Sequence, residues 1–106
     1  MRLSVPLRGT GRVEVAAYGV ADAEHLVQKE LERLWPGARV RVLEVRRAGE
    51  EPLIVEEFEV SYRIDVAVEV EAPSSEAAPR EAFRLARGRL AGSRYARTSF
   101  EAADQR

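Results

Sequence analysis

The sequence predicts an α+β domain in which two helices cover one face of a four-stranded antiparallel sheet. Two observations support this class. One long stretch alternates apolar and polar residues, and two other stretches carry apolar residues at helical spacing between strand-like segments. At 106 residues, the chain has the length of a single domain with a single core.

The stretch from Leu53 to Glu71 is expected to form the central strand. From Phe58 to Val70 every second residue is apolar, and the residues between them are polar except for Ala67. A period of two predicts a strand with one buried face and one polar face. Because strands usually have about five or six residues, one this long is expected to cross the whole sheet at its centre. The residues expected to point inward are Phe58, Val60, Tyr62, Ile64, Val66, Val68 and Val70.

Apolar and polar residues also alternate between residues 3 and 17, with an interruption at Gly9 and Gly11. Glycine adopts the positive φ values that a tight turn or a bulge requires. Two arrangements therefore remain open: a hairpin of two short strands, or one strand that is kinked at the glycines. Pro6 has no amide hydrogen to donate to a ladder, so the first piece of this segment, residues 3–7, is expected at an edge of the sheet.

A first helix is predicted from Val20 to Trp35, where the apolar residues recur at helical spacing. Asp22 is expected to be its N-cap, and Pro36-Gly37 is expected to end it. Trp35 is expected to seal the end of the core. The predicted buried stripe contains Val20, Ala23, Val27, Leu31 and Leu34, with Leu26 beside it.

The next strand is predicted to begin at Ala38, with Arg39 and Arg41 facing outward. Two adjacent apolar residues, Val42 and Leu43, predict a β-bulge because they shift the phase of the alternation. Residues 46–52 are polar apart from Ala48 and contain glycine and proline, which is typical of a hairpin loop. This loop is expected to expose Arg46 and Arg47.

A second helix is predicted from Ser75 or Pro79 to Ala91, since Pro79 is tolerated only in the first turn. A final strand is predicted from Ser93 to Glu101 because the residues alternate again, and residues 102–106 are expected to fray. The predicted buried stripe of the helix is Ala82, Phe83, Ala86 and Leu90, with Leu85 on its flank. The predicted faces of the last strand are Ala96, Thr98 and Phe100 on one side and Tyr95, Arg97 and Ser99 on the other.

The predicted order is strand, helix, strand, strand, helix, strand. Right-handed crossovers place both helices of such a chain on the same face of the sheet. The sequence therefore predicts a ferredoxin-like βαββαβ two-layer sandwich, with an additional N-terminal strand or bulge at the glycines. Residues 1–106 are expected to form this one domain.

Few residues suited to catalysis are present. The chain has no cysteine, which excludes disulfides, thiolate nucleophiles and cysteine zinc sites. Its one histidine, His25, falls on the first helix away from the apolar stripe and is expected to be solvated. No nucleophile elbow, phosphate-binding glycine loop or zinc-protease motif occurs. The sequence therefore predicts no enzyme, no catalytic residue and no cofactor.

Charge and hydropathy indicate a cytoplasmic protein without a membrane partner. The net charge is −1, and no segment approaches the roughly 18 apolar residues of a spanning helix. No continuous apolar region follows the first six residues, so a secretory signal is not expected. Asparagine is absent, and 16 arginines accompany one lysine. This composition is typical of proteins from hot environments, and equally of a GC-rich genome.

Glutamates at the start of the central strand offer one candidate metal site. Glu57 and Glu59 share a face and together have the oxygen ligands that Mg²⁺ or Ca²⁺ prefers. However, Arg39 and Arg41 on the neighbouring strand are available to pair with them across the sheet. Ion pairing is the favoured interpretation, and no metal site is predicted.

An arginine row on the second helix is a candidate nucleic-acid site, because a basic ridge can contact phosphates. The alternative is a solvated face that Glu76 and Glu81 partly neutralise. The slight overall acidity of the chain favours this alternative. The candidate residues are Arg80, Arg84, Arg87, Arg94 and Arg97.

The functional expectation is a non-enzymatic binding or assembly module that self-associates, first as a homodimer. Unpaired strand edges promote association, and small chains gain stability from symmetric assembly. The open face of the sheet is predicted to be too charged for a dry interface and to lack the exposed aromatics that stack bases. The alternatives are an RNA-binding protein that uses the arginine row, and a small-ligand regulatory domain.

Overall fold

The computed structural model describes residues 1–49 and 54–103 of the chain. Four strands and two helices alternate within these residues in the order β1, α1, β2, β3, α2, β4. The helices are α1 (Val20–Leu34) and α2 (Ala78–Leu90), and the strands are β1 (Arg2–Ala17), β2 (Arg39–Arg47), β3 (Glu56–Glu71) and β4 (Ser99–Ala102).

The four strands form one sheet in the order β2-β3-β1-β4, and every neighbouring pair is antiparallel. β1 and β3 pair over their full length, from Arg2 opposite Glu71 to Ala17 opposite Glu56. The buried residues of both helices and of the sheet belong to one core, so both helices pack on the same face. The predicted α+β class, with a four-stranded antiparallel sheet and two helices, is confirmed.

β3 is the interior strand that its alternation predicts. Its seven even-numbered residues from Phe58 to Val70 are all buried, and its odd-numbered residues are not. Burying an aromatic or β-branched side chain of this kind stabilises the fold by about 1.5–3 kcal/mol. The predicted start of this stretch at Leu53 lies outside the described residues.

β1 is one continuous strand, so the hairpin arrangement is wrong, and its ladder with β3 contains no register shift. Gly9 and Gly11 do not have positive φ values; in the described part of the chain these belong to Gly37 and Gly92. The glycines of β1 instead permit close approach. A Cβ at Gly9 would lie 2.7 Å from the Thr98 methyl group, and one at Gly11 would collide with the Tyr62 hydroxyl.

β1 as a whole lies between β3 and β4, but its first piece, which contains Pro6 and was expected at an edge, precedes the ladder with β4. The Pro6 carbonyl accepts a hydrogen bond from the Ala103 amide at 3.1 Å, and therefore faces the β4 side. The ladder with β4 begins only at Leu7, opposite Ala102. The missing amide hydrogen of proline thus falls where the ladder ends, so it costs no ladder bond.

α1 has almost the predicted bounds, but two details differ. Gly19 is the N-cap, whereas Asp22 lies in the first turn and its Oδ2 accepts a hydrogen bond from the Tyr18 amide at 2.9 Å. Val20 is 48% exposed and does not join the buried stripe. Trp35 is buried at the end of the helix, as expected.

The predicted bulge in β2 is confirmed by a register shift between Val42 and Glu44. Arg46 and Arg47, which were expected in the hairpin loop, instead continue β2 and pair opposite residues of β3. The ladder extends further than the polar composition indicates because both arginines find acidic partners across the strands. Residues 50–52 of the predicted loop lie outside the described residues.

α2 begins at Ala78, so Pro79 lies in its first turn as predicted. Phe83 is half-buried and Leu85 is exposed, while Ala78 joins the buried stripe. The described helices include none that is long and apolar enough to cross a membrane.

The final strand is shorter than its alternation predicts. Residues 91–97 form turns, and only Ser99–Ala102 pair with β1. Tyr95 and Thr98, which were expected on opposite sides, are both buried, and Ala96, which was expected on the same side as Thr98, is exposed. Residues 102 and 103 were expected to fray but extend the β4 side of the sheet, and residues 104–106 lie outside the described residues.

Candidate interaction surfaces

The arginine row of α2 is exposed but is partly engaged within the protein. Arg80, Arg84 and Arg87 all lie on exposed positions of the helix. Arg84 forms a two-pronged ion pair with Glu81, and its Nε lies 3.0 Å from Oε2. This hydrogen bond holds the pKa of Glu81 below its usual range and raises the pKa of Arg84. One of the three guanidinium groups is therefore already paired.

Arg94 and Arg97 belong to the turns after α2 and not to the predicted strand. The Nε of Arg94 lies 3.4 Å from Oε1 of Glu30 on α1. The structure thus leaves three of the five predicted residues without an ion pair among the described residues: Arg80, Arg87 and Arg97.

Arg89 has a structural role that the sequence did not predict. Its guanidinium lies 5.1 Å from the centroid of the Trp35 ring, and its Nε donates to the Leu34 carbonyl at 3.2 Å. Both contacts join α2 to the last turn of α1. The sequence contains no local signal for these contacts, because Arg89 lies 54 positions after Trp35 and 55 positions after Leu34.

A buried polar cluster connects β3, α1 and the turn before β4. The Tyr62 hydroxyl lies 2.6 Å from Thr98 Oγ1, and Thr98 donates to the Tyr95 carbonyl at 2.7 Å. The Tyr95 hydroxyl donates to Oε1 of Glu30 at 2.7 Å. Burial raises the pKa of both tyrosines, and at Tyr95 the Glu30 carboxylate raises it further. Every hydroxyl is paired, so the cluster positions these elements and leaves no group free for chemistry.

The first candidate surface is the β3 edge, Val66–Glu71. Within residues 1–49 and 54–103 no strand pairs with it on the β2 side, because β2 begins opposite Asp65. Beside it lies a groove of about 480 Å³ between this edge and α2. Leu85 of α2 lines the groove and is 38% exposed. The other lining residues are Trp35, Ala67, Val68, Glu69, Arg84, Gly88 and Arg89.

The backbone groups at the β3 edge face solvent. Successive residues of an antiparallel strand direct their N–H and C=O groups to opposite neighbours. The Glu57 carbonyl accepts from the Ala48 amide after β2, and the Ala72 amide donates to the Met1 carbonyl before β1. Odd-numbered residues of β3 therefore face β2 and even-numbered ones face β1. Those that face the open edge are Ala67, Glu69 and Glu71.

The outer edge of β2 differs from the β3 edge in its charge. The strand reads RVRVLEVRR, with exposed arginines at Arg39, Arg41, Arg46 and Arg47. Positive side chains along an edge oppose the pairing of a second identical edge. The second half of β1 is also open, because the described part of β4 pairs only with residues 7–10.

The open face, the sheet surface away from the helices, is the second candidate surface. Its charges pair across strands, but not as predicted. Glu59 pairs with Arg46 at 3.0 Å, while Arg39 lies opposite Asp65 and Arg41 lies opposite Arg63. The expected partnership of Glu57 and Glu59 with Arg39 and Arg41 is therefore wrong, because the bulge and the register place the first arginines of β2 further along β3.

Residues 1–49 and 54–103 contain no group of three or more histidine and acidic side chains placed to hold a metal ion. His25 is exposed on α1, as predicted. Comparison of the chain with protein-family models, curated proteins and solved structures gave no match to any of them. The geometry of the β3 edge and of the open face is therefore the basis for a functional proposal.

Proposed function

We propose that this protein is a non-enzymatic assembly module that self-associates as a homodimer by pairing the β3 edges of two copies. One observation carries the proposal: the backbone groups of Ala67, Glu69 and Glu71 face an edge with no paired strand among the described residues, next to a groove that exposes Leu85. Strand addition to such an edge gains main-chain hydrogen bonds, and neighbouring pockets take the side chains.

A ferredoxin-like assignment belongs to the same proposal. β3 lies between β1 and β2, and β1 lies between β3 and β4, so each βαβ half is split by a strand of the other half. This interleaving, together with the strand and helix order and the two helices on one face, supports the split βαβ arrangement.

The β3 edge accommodates a symmetric partner. An antiparallel pairing centred on Val68 places Ala67 of one copy opposite Glu69 of the other, and the two pairs exchange backbone hydrogen bonds. Because the pairing residues on the core side are valines, like faces meet and the register buries no charge. The two α2 helices then run side by side, with Leu85 of each covering the groove.

The arginines of β2 explain why the β3 edge is favoured over the outer edge of the sheet. Pairing two β2 edges would bring arginine side chains opposite one another, which is destabilising. The β3 edge instead has Ala67 next to its centre and two charged residues, Glu69 and Glu71. Glu69 pairs with Arg2 at 2.8 Å, and Glu71 lies 3.7 Å from the N-terminal ammonium group.

Proline at the β3 edge tests this mode. The Ala67 amide faces the open edge, so Ala67→Pro removes no hydrogen bond within the protein but blocks pairing. We expect light scattering after size-exclusion chromatography to give a dimer for the wild type and a monomer for Ala67→Pro. Ala16→Pro, at the open edge of β1, is the matched control and should stay dimeric.

Leu85→Lys is a second variant, at an exposed helix position that leaves the fold intact, and it should also weaken the dimer. A monomeric wild type at high micromolar concentration, or a dimer that survives both Ala67→Pro and Leu85→Lys, would overturn the proposal.

Nucleic-acid binding by the arginine row has less support, since Arg84 and Arg94 are held by Glu81 and Glu30. That alternative requires RNA or DNA binding that weakens steeply with salt. It also requires the binding to be lost in an Arg80→Glu, Arg87→Glu double variant.

A further inference from the structure

On the open face, one row of side chains crosses all four strands without an acidic residue. Arg41 of β2 lies opposite Arg63 of β3, Arg63 lies opposite Thr10 of β1, and Thr10 lies opposite Ser99 of β4. Directly opposed residues have Cβ atoms about 4.5–5.5 Å apart. Two guanidinium groups and two hydroxyl groups are therefore held in line on a rigid sheet.

Among the described residues, the two arginines of this row, Arg41 and Arg63, have too few acidic partners. The Nε of Arg63 is buried and makes no hydrogen bond; it lies 3.4 Å from Asp65 Oδ2 without the alignment that a bond requires. Asp65 is also shared, because Arg8 Nε donates to its Oδ1 at 3.1 Å and Arg39 lies opposite it. Like charges that face each other across two strands are destabilising.

A groove of about 400 Å³ borders the row on the side of the β2 bulge. Its size is within the range of about 300–1,000 Å³ that small-molecule sites have. Another arginine, Arg12, lines the groove and is the diagonal cross-strand neighbour of Arg63. Glu44 also lines the groove, and its Oε1 lies 3.6 Å from the Nε of Arg46. The full lining is Thr10, Gly11, Arg12, Leu43, Glu44 and Ser61.

We propose that the open face binds the phosphate group of a small phosphorylated molecule between Arg41 and Arg63. Guanidinium groups donate paired hydrogen bonds to phosphate oxygens, and the Thr10 hydroxyl donates another. The bound anion supplies the negative charge that this row lacks and a partner for Arg63. The rest of the molecule lies in the groove beside Arg12. This site is independent of the proposed dimer, which uses the edge of β3.

Phosphate titration, followed by backbone amide chemical shifts, tests the site. Inorganic phosphate at constant ionic strength should shift the amides around residues 10, 41, 63 and 99 and saturate, while the same ionic strength of sodium chloride should not. Arg41→Gln and Arg63→Gln should each weaken the affinity about tenfold or more, since each removes a charge-assisted hydrogen bond. Arg80→Gln, on α2, is the control that removes one charge elsewhere and should leave the affinity unchanged.

A parallel titration with AMP distinguishes the two sources of the phosphate group. Tighter binding of AMP than of inorganic phosphate supports a phosphorylated small molecule that also uses the groove. Equal affinities overturn the part of the proposal that assigns the groove and leave a site for the free anion.

Thermal unfolding in phosphate-free buffer gives a second readout, the direction in which each variant shifts Tm. Arg41→Gln should raise Tm because it relieves the repulsion with Arg63, whereas Arg39→Gln should lower Tm because Arg39 faces Asp65. Phosphate should raise the Tm of the wild type but not that of Arg41→Gln. Shifts that are diffuse or unsaturable, or that are unchanged in both Arg41→Gln and Arg63→Gln, would overturn the proposal.

Discussion

The two faces of the sheet, the helix face covered by α1 and α2 and the open face, are made from the same strands but have different roles. On the helix face, β3 contributes seven buried residues in unbroken alternation, and β1 leaves out side chains at Gly9 and Gly11 to admit Tyr62, Thr98 and Phe100. On the open face, charged side chains lie partly exposed in cross-strand pairs. The comparison indicates that packing on one face holds the fold, which leaves the other face able to tolerate unfavourable charge pairs.

The largest expected difference between the faces comes from neighbouring residues of β3. Phe58 is fully buried, so Phe58→Ala should lower the free energy of unfolding by about 3–5 kcal/mol. Glu57→Ala, on the open face, is the matched control and should change it by about 0.5 kcal/mol or less. Urea unfolding measures both values. Similar effects for the two variants would contradict the assignment of the faces.

The glycine positions of β1 test how tightly the helix face is packed. Gly11→Ala should cost about 1–3 kcal/mol, because the new Cβ collides with the Tyr62 side chain. Gly49→Ala introduces the same methyl group where no atom lies within 4 Å, so it should be neutral or stabilising. Denaturant midpoints compare the two. A Gly11→Ala protein as stable as Gly49→Ala would show that Tyr62 has room to move.

Alkaline pH should weaken the helix face selectively. Burial raises the pKa of Tyr62 and Tyr95 in the folded protein, so above pH 10.0 the unfolded chain loses protons that the folded chain retains. The stability that these two hydroxyl groups contribute is fully present below pH 10.0 and is lost as the pH rises above it, at Tyr95 by up to about 1.4 kcal/mol per pH unit.

Unfolding measured between pH 9 and pH 11, with tyrosinate absorbance as the readout of ionisation, checks this sign. In Tyr95→Phe, the free energy of unfolding should fall less steeply with pH, because the contribution of Tyr95 is removed. A slope unchanged by this substitution would assign the alkaline loss to other groups.

The smallest expected effect belongs to an ion pair of the open face. Arg2 and Glu69 are separated by 2.8 Å but are largely exposed, so a double-mutant cycle with alanine should give a coupling of about 0.2–1 kcal/mol. High salt should reduce it further, because exposed charges are screened. A coupling comparable to the effect of Phe58→Ala would erase the distinction between the faces.

Periodicity predicted the fold correctly where the alternation of apolar and polar residues allows only one face of a strand to be buried. The alternation in β3 determines its face, because a slip of one residue would expose every valine. The same alternation between Ser93 and Glu101 was misleading, since turns there bring both Tyr95 and Thr98 inward. Hydrogen bonds to the Ser93 hydroxyl and to the Tyr95 carbonyl stabilise these turns, and spacing alone does not encode them.

The candidate surfaces depend on registers between strands that are far apart in sequence. The β3 edge is open because β2 begins at Arg39, which lies opposite Asp65, a residue 26 positions later in the sequence. Arg41 opposes Arg63 for the same reason, although the sequence suggested glutamate partners. The spacing predicted the arginine row of α2, but the pairing of Arg94, in the turn after α2, with Glu30 of α1 depends on tertiary packing.

The long antiparallel ladder between β1 and β3 determines when the protein folds during synthesis. Arg2 pairs with Glu71 and Ala17 with Glu56, so the first strand leaves the ribosome long before its partner has been made. Pairings that close such large loops are slow. The apolar side chains of β1 therefore stay unpaired with β3 until residue 71 has been synthesised. During this interval the nascent chain is most accessible to chaperones and most prone to aggregation.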